Sequence, residues 1–242
     1  MTIVFLDGKF LDEAEAKISI FDRGFLYGDG LFTTILVTEG TPQFLERHIS
    51  RLTTHCQSYG LKAPTINPAW ATELIATNHA HKGNWRLKLI VTGSDHVIMT
   101  LEPYTPKNGP VRCALYPEPF VHPLAQYKTL ANIGRFRLLQ YGLDHGFDDA
   151  ISCTEGGILL EASFANLFWI EGKTFYTPSR KLPLYFGLTL ELAIEKAQKK
   201  GLIIQEVEAT VDEIGEDAAL FCTNSLHGAI AVQQLGERPL VV

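Results

Sequence analysis

The sequence predicts an α+β fold in two domains, and three observations carry that reading. Strands precede helices in each half of the chain instead of alternating with them as in a βαβ winding. A proline-rich piece, Pro117-Glu118-Pro119 with Pro123 shortly after, divides the chain into nearly equal halves. The 242 residues are 46% hydrophobic and 20% charged, so either half can bury a substantial core. The expected boundaries are an N-terminal domain over 1–116, a linker over 117–123 and a C-terminal domain over 124–242.

The first half opens with a strand over 3–6 and a turn at Asp7-Gly8-Lys9, and a second strand is predicted over 31–37. The turn Thr38-Glu39-Gly40-Thr41 reads as a hairpin leading back through Pro42. Leu45, Ile49, Leu52, Cys56 and Tyr59 then recur at spacings of four and three, the apolar stripe of an amphipathic helix that Gly60 closes. Arg47 and Arg51 lie four apart at the edge of that stripe. Residues 85–91 alternate like a half-buried strand, Gly93-Ser94-Asp95 turns the chain into a strand over 97–101, and another is expected over 111–116.

In the second half, 130–141 reads as a helix. A β-meander follows over 150–154, 158–161, 166–170 and 175–177. The clearest helix spans 189–200, with Leu190, Ala193, Ile194 and Ala197 as its inner stripe, lysines at its C-terminus and Gly201 ending it. Strands over 202–207 and 220–223 finish the core.

Composition narrows the function. The net charge of −6, with no basic run, argues against nucleic-acid binding. The longest apolar stretches fall short of a membrane span. Met1-Thr2-Ile3-Val4-Phe5 lacks the basic start and long apolar core of a secretory leader. Cys56, Cys113, Cys153 and Cys222 are far apart and read as buried thiols in a reducing compartment, so the cytoplasm is the expected location. Only His79-Ala80-His81 among the histidines has a ligand-like spacing; it lies in a polar stretch and no metal site is expected.

The most informative stretch runs from Ile20 to Thr34. It carries Gly24, Gly28 and Gly30, with Asp29 between the last two, and leads into an apolar β-forming run. Glycines this dense let the backbone turn tightly or approach another group closely. Locally it reads as a loop feeding a strand, a ligand site being the alternative. Other candidates are equally open by local pattern. Lys128 reads as a surface lysine, Glu161 as the outward residue of a half-exposed strand, and Thr189 as a plain helix N-cap. Gly187-Leu188-Thr189 could equally offer free amides and the positive end of a helix to an anion.

In their order along the chain, from Asp22 to about Leu226, these strings resemble the class IV (fold-type IV) pyridoxal-phosphate enzymes. That family includes D-amino-acid and branched-chain aminotransferases and aminodeoxychorismate lyases. The resemblance implies a two-domain fold like that of D-amino-acid aminotransferase, pyridoxal 5'-phosphate as cofactor, a small-molecule substrate and a homodimer. It places Lys128, in Lys128-Thr129-Leu130-Ala131-Asn132, as the Schiff-base lysine, its asparagine one step later than the family's Lys-x-x-Asn. An amine in that role has to be neutral when it attacks, which desolvation favours. Glu161 matches the glutamate of the Glu-x-x-x-x-Asn-x-Phe motif, which pairs with the pyridine nitrogen and keeps the ring electron-withdrawing. Ser163 and Asn166 are implied to support it. Arg51 corresponds to a phosphate-binding arginine, its planar fork suited to phosphate oxygens, with Arg47 a surface neighbour. Gly187, Leu188 and Thr189 correspond to the phosphate cup, and Asn224, Ser225 and the Leu226 backbone to a turn near phosphate or substrate.

Within the family, Phe32-Thr33-Thr34 resembles the Phe-x-Thr of the lyases, whose second threonine takes part in catalysis. Thr34 is therefore a candidate catalytic residue, although threonine is also simply a good strand residue. The Ala165-to-Trp169 string also looks like the lyase branch. The expected activity is the cleavage of 4-amino-4-deoxychorismate to 4-aminobenzoate and pyruvate, a step of folate biosynthesis; an amino-acid aminotransferase is the alternative. Thr92-Gly93-Ser94-Asp95-His96 is a short turn without the Arg-x-His pair of D-amino-acid enzymes. That leaves Arg86 and Lys88 as replacements for a substrate-carboxylate contact.

Overall fold

The computed structural model describes residues 2–62 and 64–241. The chain forms two units. The first runs to Pro106 and takes back the segment Tyr127–Asn132; the second comprises Lys107–Gln126 and everything from Ile133 onward.

The first unit contains β1 (Ile3–Leu6), β2 (Lys9–Asp12), α1 (Arg23–Tyr27), β3 (Gly30–Thr38), β4 (Thr41–Pro42), α2 (Leu45–Tyr59), α3 (Pro68–Thr77), β5 (Asn84–Thr92) and β6 (Val97–Pro103). Its six strands form one antiparallel sheet in the order β2-β1-β6-β5-β3-β4. Strand alternation gives the sheet two different faces. Leu31, Ile35, Val37, Leu87, Leu89, Met99 and Leu101 point to one side and pack with Leu45, Leu52, Cys56, Leu74 and Ile75 of α2 and α3. Phe32, Thr34 and Lys88 lie on the other side, with Thr34 directly opposite Lys88. The stripe read for α2 is its buried face, and Gly60 caps it in the left-handed region at φ 91°.

The second unit contains β7 (Val111–Pro119), α4 (Ile133–Asp144), β8 (Asp149–Cys153), β9 (Leu159–Ala162), β10 (Asn166–Glu171), β11 (Thr174–Pro178), α5 (Leu188–Lys199), β12 (Ile203–Val207), a single 3-10 turn (Val211–Glu213), β13 (Ala219–Asn224), β14 (Gly228–Leu235) and β15 (Arg238–Pro239). Its sheet runs β12-β11-β10-β13-β14-β7-β8-β9, and β9 pairs back onto β10 at Glu161 and Asn166. Six strands therefore close on themselves around a core that includes Leu167, Trp169, Leu220, Cys222 and Val232. Outside that ring, Phe168 stacks between Phe175 and Phe221 at 4.5 and 4.9 Å, beneath Leu190 and Ala197 of α5.

Several elements depart from the sequence reading. The stretch 111–116, expected in the first domain, belongs to β7, which pairs in parallel with β8 and β14 of the second unit. The helix expected from residue 130 begins at Ile133: the Leu130 amide donates to the Gly30 carbonyl at 2.9 Å, and its carbonyl accepts from the Asn132 amide at 2.8 Å. The glycine-rich loop contains a one-turn helix, α1, capped by the Asp22 side chain, which accepts from the Phe25 amide. Strands β2, β14 and β15 and helix α3 have no counterpart in that reading.

Candidate active site

In the first unit the glycine-rich stretch holds the segment that carries Lys128. The Phe32 amide donates to the Lys128 carbonyl at 2.9 Å, and Leu31 and Thr129 form an antiparallel bridge. The segment comes so close that side chains on the glycines would collide with it. A Cβ on Gly28 would lie 2.9 Å from the Ala131 backbone. One on Gly30 would lie 2.5 Å from the Val91 carbonyl and 2.7 Å from Leu130. Close backbone approach, rather than turning alone, is what these glycines provide. Gly28 does both, ending α1 at φ 67°.

Fixed in this way, Lys128 places its ammonium 4.7 Å from the centre of the Phe32 ring. Lys88, one strand away, places its own 4.5 Å from the same ring. Burial, and then the charge of Arg86, hold the Lys88 amine below the ordinary lysine value, with Glu102 acting in the opposite sense. Thr34 faces the same side of the sheet as Phe32, whereas Thr33 turns to the core and bonds His48 Nδ1 at 2.7 Å. Arg86 is held by Glu102 at 2.8 Å, which leaves Lys88 as the better placed of the two cations proposed for a substrate carboxylate.

Arg51 is half-buried on α2 and Arg47 exposed. Both lie close enough to His48 to act on it, as does Lys128. Burial, followed by Arg51, Lys128 and Arg47, pushes the His48 pKa down to about 4. His48 is thus neutral near pH 7, with three cations close to it.

A cavity of about 690 Å³ opens elsewhere on the first unit, lined by residues that include Lys17, Ile98, Thr100 and Glu102. None of the sequence-predicted site residues lines it.

In the second unit Glu161 is buried at 5% exposure, so the outward-facing alternative is excluded. Its Oε1 accepts from Arg135 Nη2 at 2.6 Å and from the Tyr185 amide at 3.3 Å. The Tyr185 carbonyl in turn accepts from Asn166 Nδ2, and Asn166 Oδ1 accepts from the Gly187 amide at 3.0 Å. Glu161 is thereby tied through Asn166 to the start of α5. Gly187 has no room for a side chain, since a Cβ would lie 2.6 Å from Asn166 Oδ1.

Helix α5 starts at Leu188 with Gly187 at its N-cap and no side-chain cap. The N-cap reading of Thr189 therefore fails; its hydroxyl meets that of Ser225 at 3.2 Å instead. Thr223, the cross-strand partner of Asn166, holds a buried hydroxyl with no hydrogen-bond partner among the described residues. Asn224 uses its side chain to build the turn, donating to the Phe164 carbonyl and accepting from the Leu226 and His227 amides. An uncapped helix start, a glycine that cannot bear a side chain and two paired hydroxyls make a donor set suited to a phosphate. Sequence reasoning missed Arg135 and His48. A buried acid calls for a cation, but the pattern does not select one of 21 lysines and arginines.

The chain belongs to the class IV aminotransferase family: residues 30–235 match that family's profile, described as Amino-transferase class IV. It is 30% identical over 263 aligned residues to aminodeoxychorismate lyase of Bacillus subtilis (strain 168), covering 97% of this chain and 87% of that protein. A crystal structure from Legionella pneumophila, described provisionally as a 4-amino-4-deoxychorismate lyase, superposes with a TM-score of 0.86 at 27% identity, over 96% of this chain and 91% of that one. The branched-chain aminotransferase of Thermoproteus uzoniensis shares the fold, with a TM-score of 0.89 at 21% identity over 99% and 89% of the two chains. The family consists of pyridoxal-phosphate-dependent lyases and aminotransferases, and this chain is an enzyme of that class.

The depressed pKa of His48 gives a test of its placement. The unfolded chain binds a proton at this histidine as pH falls below 6.5, whereas the folded chain does so only near 4. Stability is therefore intact above pH 6.5 and lost progressively down to pH 4, by about 3 kcal/mol in total. Urea unfolding across this range should show that loss in the native chain and a correspondingly smaller one in His48→Asn. Equal pH dependence in the two would place His48 in a solvated setting.

Proposed function

We propose that the chain is a 4-amino-4-deoxychorismate lyase that releases 4-aminobenzoate and pyruvate. The observation that carries the reading is Thr34, which the sheet turns to the face shared by Phe32 and Lys88, with the Lys128 amine over the same Phe32 ring. The similarity to the Bacillus subtilis lyase supports it.

In this reading Lys128 carries pyridoxal 5'-phosphate. Glu161 meets its ring nitrogen, and Arg51, Thr189, Ser225 and the amides that follow Gly187 meet its phosphate, with Leu188 and Asn224 shaping the cup. When bound, the cofactor supplies an electron sink for the carbon that bears the substrate amine. Lys128 Nζ, once displaced by that amine, takes the proton from this carbon as general base. The carbon–oxygen bond to the enolpyruvyl group then breaks and the substrate ring becomes aromatic. The Thr34 hydroxyl gives a proton to the methylene carbon of the departing enolpyruvate, completing pyruvate, and is restored by the proton that Lys128 removed. Lys88, partly desolvated over Phe32, offers its charge to a substrate carboxylate.

We also place the enzyme in the folate pathway and the cytoplasm, where its four unpaired cysteines would stay reduced. It is further proposed to be a homodimer. Ile20, Phe21, Phe25 and Tyr27 are each at least 67% exposed, an apolar patch suited to a second copy. No helix among the described residues is long and apolar enough to cross a membrane.

Light scattering should give a mass twice the chain's 26.9 kDa, and a monomeric value would contradict the dimer. Supplied with 4-amino-4-deoxychorismate, the enzyme should form 4-aminobenzoate and pyruvate in equal amounts. Thr34→Val should lower that turnover by about 100-fold while the cofactor's visible band persists. Amine transfer to keto acids without 4-aminobenzoate would establish an aminotransferase instead, the activity of other members of the family. Unchanged turnover in Thr34→Val would remove the threonine from the chemistry.

A further inference from the structure

Arg135 lies in the first turn of α4 and is mostly buried, with 19% of its side chain exposed. Its two terminal nitrogens are both engaged. Nη2 donates to Glu161 Oε1 at 2.6 Å, and Nη1 donates to the Ser163 carbonyl at 3.1 Å. The guanidinium is thus anchored at both ends of Glu161-Ala162-Ser163, and its planar fork is what makes the double contact possible. With the Tyr185 amide on the same atom, Oε1 has two protein donors, while among the described residues no hydrogen bond reaches Oε2. The carboxylate is asymmetric: one oxygen is held by the protein and the other is left for another donor.

We propose that Arg135 is the positioning residue of the cofactor site, orienting and charge-compensating Glu161 so that Oε2 meets the ring nitrogen of pyridoxal phosphate. This rests on the reading of Glu161 as the nitrogen's partner. An isolated buried carboxylate is costly and escapes the cost by taking up a proton or turning toward water. Either escape removes the acceptor from a protonated ring nitrogen. Arg135 blocks both by compensating the charge and fixing the rotamer. Its terminal nitrogens bond Glu161 and Ser163, so its effect on binding has to pass through Glu161 and the nitrogen.

That requirement defines the experiment. Arg135→Gln, Arg135→Lys and Glu161→Gln are titrated with pyridoxal phosphate and with its 1-deaza analogue, in which carbon replaces the ring nitrogen, and the dissociation constants are read from absorbance. Arg135→Gln should weaken binding of pyridoxal phosphate about tenfold, the scale of one charged hydrogen bond, and binding of the analogue less than about twofold. Arg135→Lys, which keeps the charge without the fork and answers for any folding defect in the glutamine variant, should show the same preference at a smaller size. Equal losses with both cofactors for the arginine variants, while Glu161→Gln still discriminates, would reduce Arg135 to a structural residue and overturn the proposal alone. Equal losses for Glu161→Gln would overturn the reading of Glu161 itself.

Discussion

The placement of Lys128 depends on a backbone contact. The Phe32 amide bonds the Lys128 carbonyl and the Leu130 amide bonds the Gly30 carbonyl, each at 2.9 Å. Each such bond contributes only about 1 kcal/mol net, but the pair fixes register, and register decides which side chain faces where. With Lys128 held against β3, its amine comes over Phe32 while Thr34 faces the same side. The glycines at 28 and 30 make this approach possible, since a Cβ at either position would occupy the space of Ala131 or Leu130. His48 then sits beneath the cations that this arrangement gathers, and its neutrality follows from burial and their charge.

The second unit solves a different problem, that of placing a charge in an apolar strand. Leu159, Leu160 and Ala162 around Glu161 are all buried. There Glu161 accepts hydrogen bonds from Arg135 and from the Tyr185 amide. Asn166 extends the same network to Gly187, so the position of the acid and the start of α5 are set together. In the proposed function these are the two ends of one cofactor, its ring nitrogen and its phosphate. A rigid link between them would then be a working feature of the site.

Much of this was legible in the sequence where the signal is local. The stripe from Leu45 to Tyr59 and the glycine after it located α2, and Leu190 to Ala197 located the buried face of α5. Nonlocal pairing was not legible. Nothing around Leu130 shows that its amide will bond Gly30, so the local pattern places the helix start three residues before Ile133. Likewise β7 looks local to the first half but pairs in parallel with β8 and β14. Helix α3 carries a local signal of its own, Asn67 as N-cap before Pro68. Among the proposed site residues, the family strings point to Lys128, Glu161 and Thr189, but no motif names Arg135, which comes into view only because it bonds the buried Glu161.

In the proposed function β3 presents Lys128, and not its neighbour Lys88 over the same ring, as the lysine that carries the cofactor. Borohydride reduction of the pyridoxal-phosphate-loaded protein, followed by peptide mass mapping, tests this directly. A phosphopyridoxyl adduct on Lys128 alone is expected. An adduct on Lys88, or on a lysine outside this face of the sheet, would contradict it.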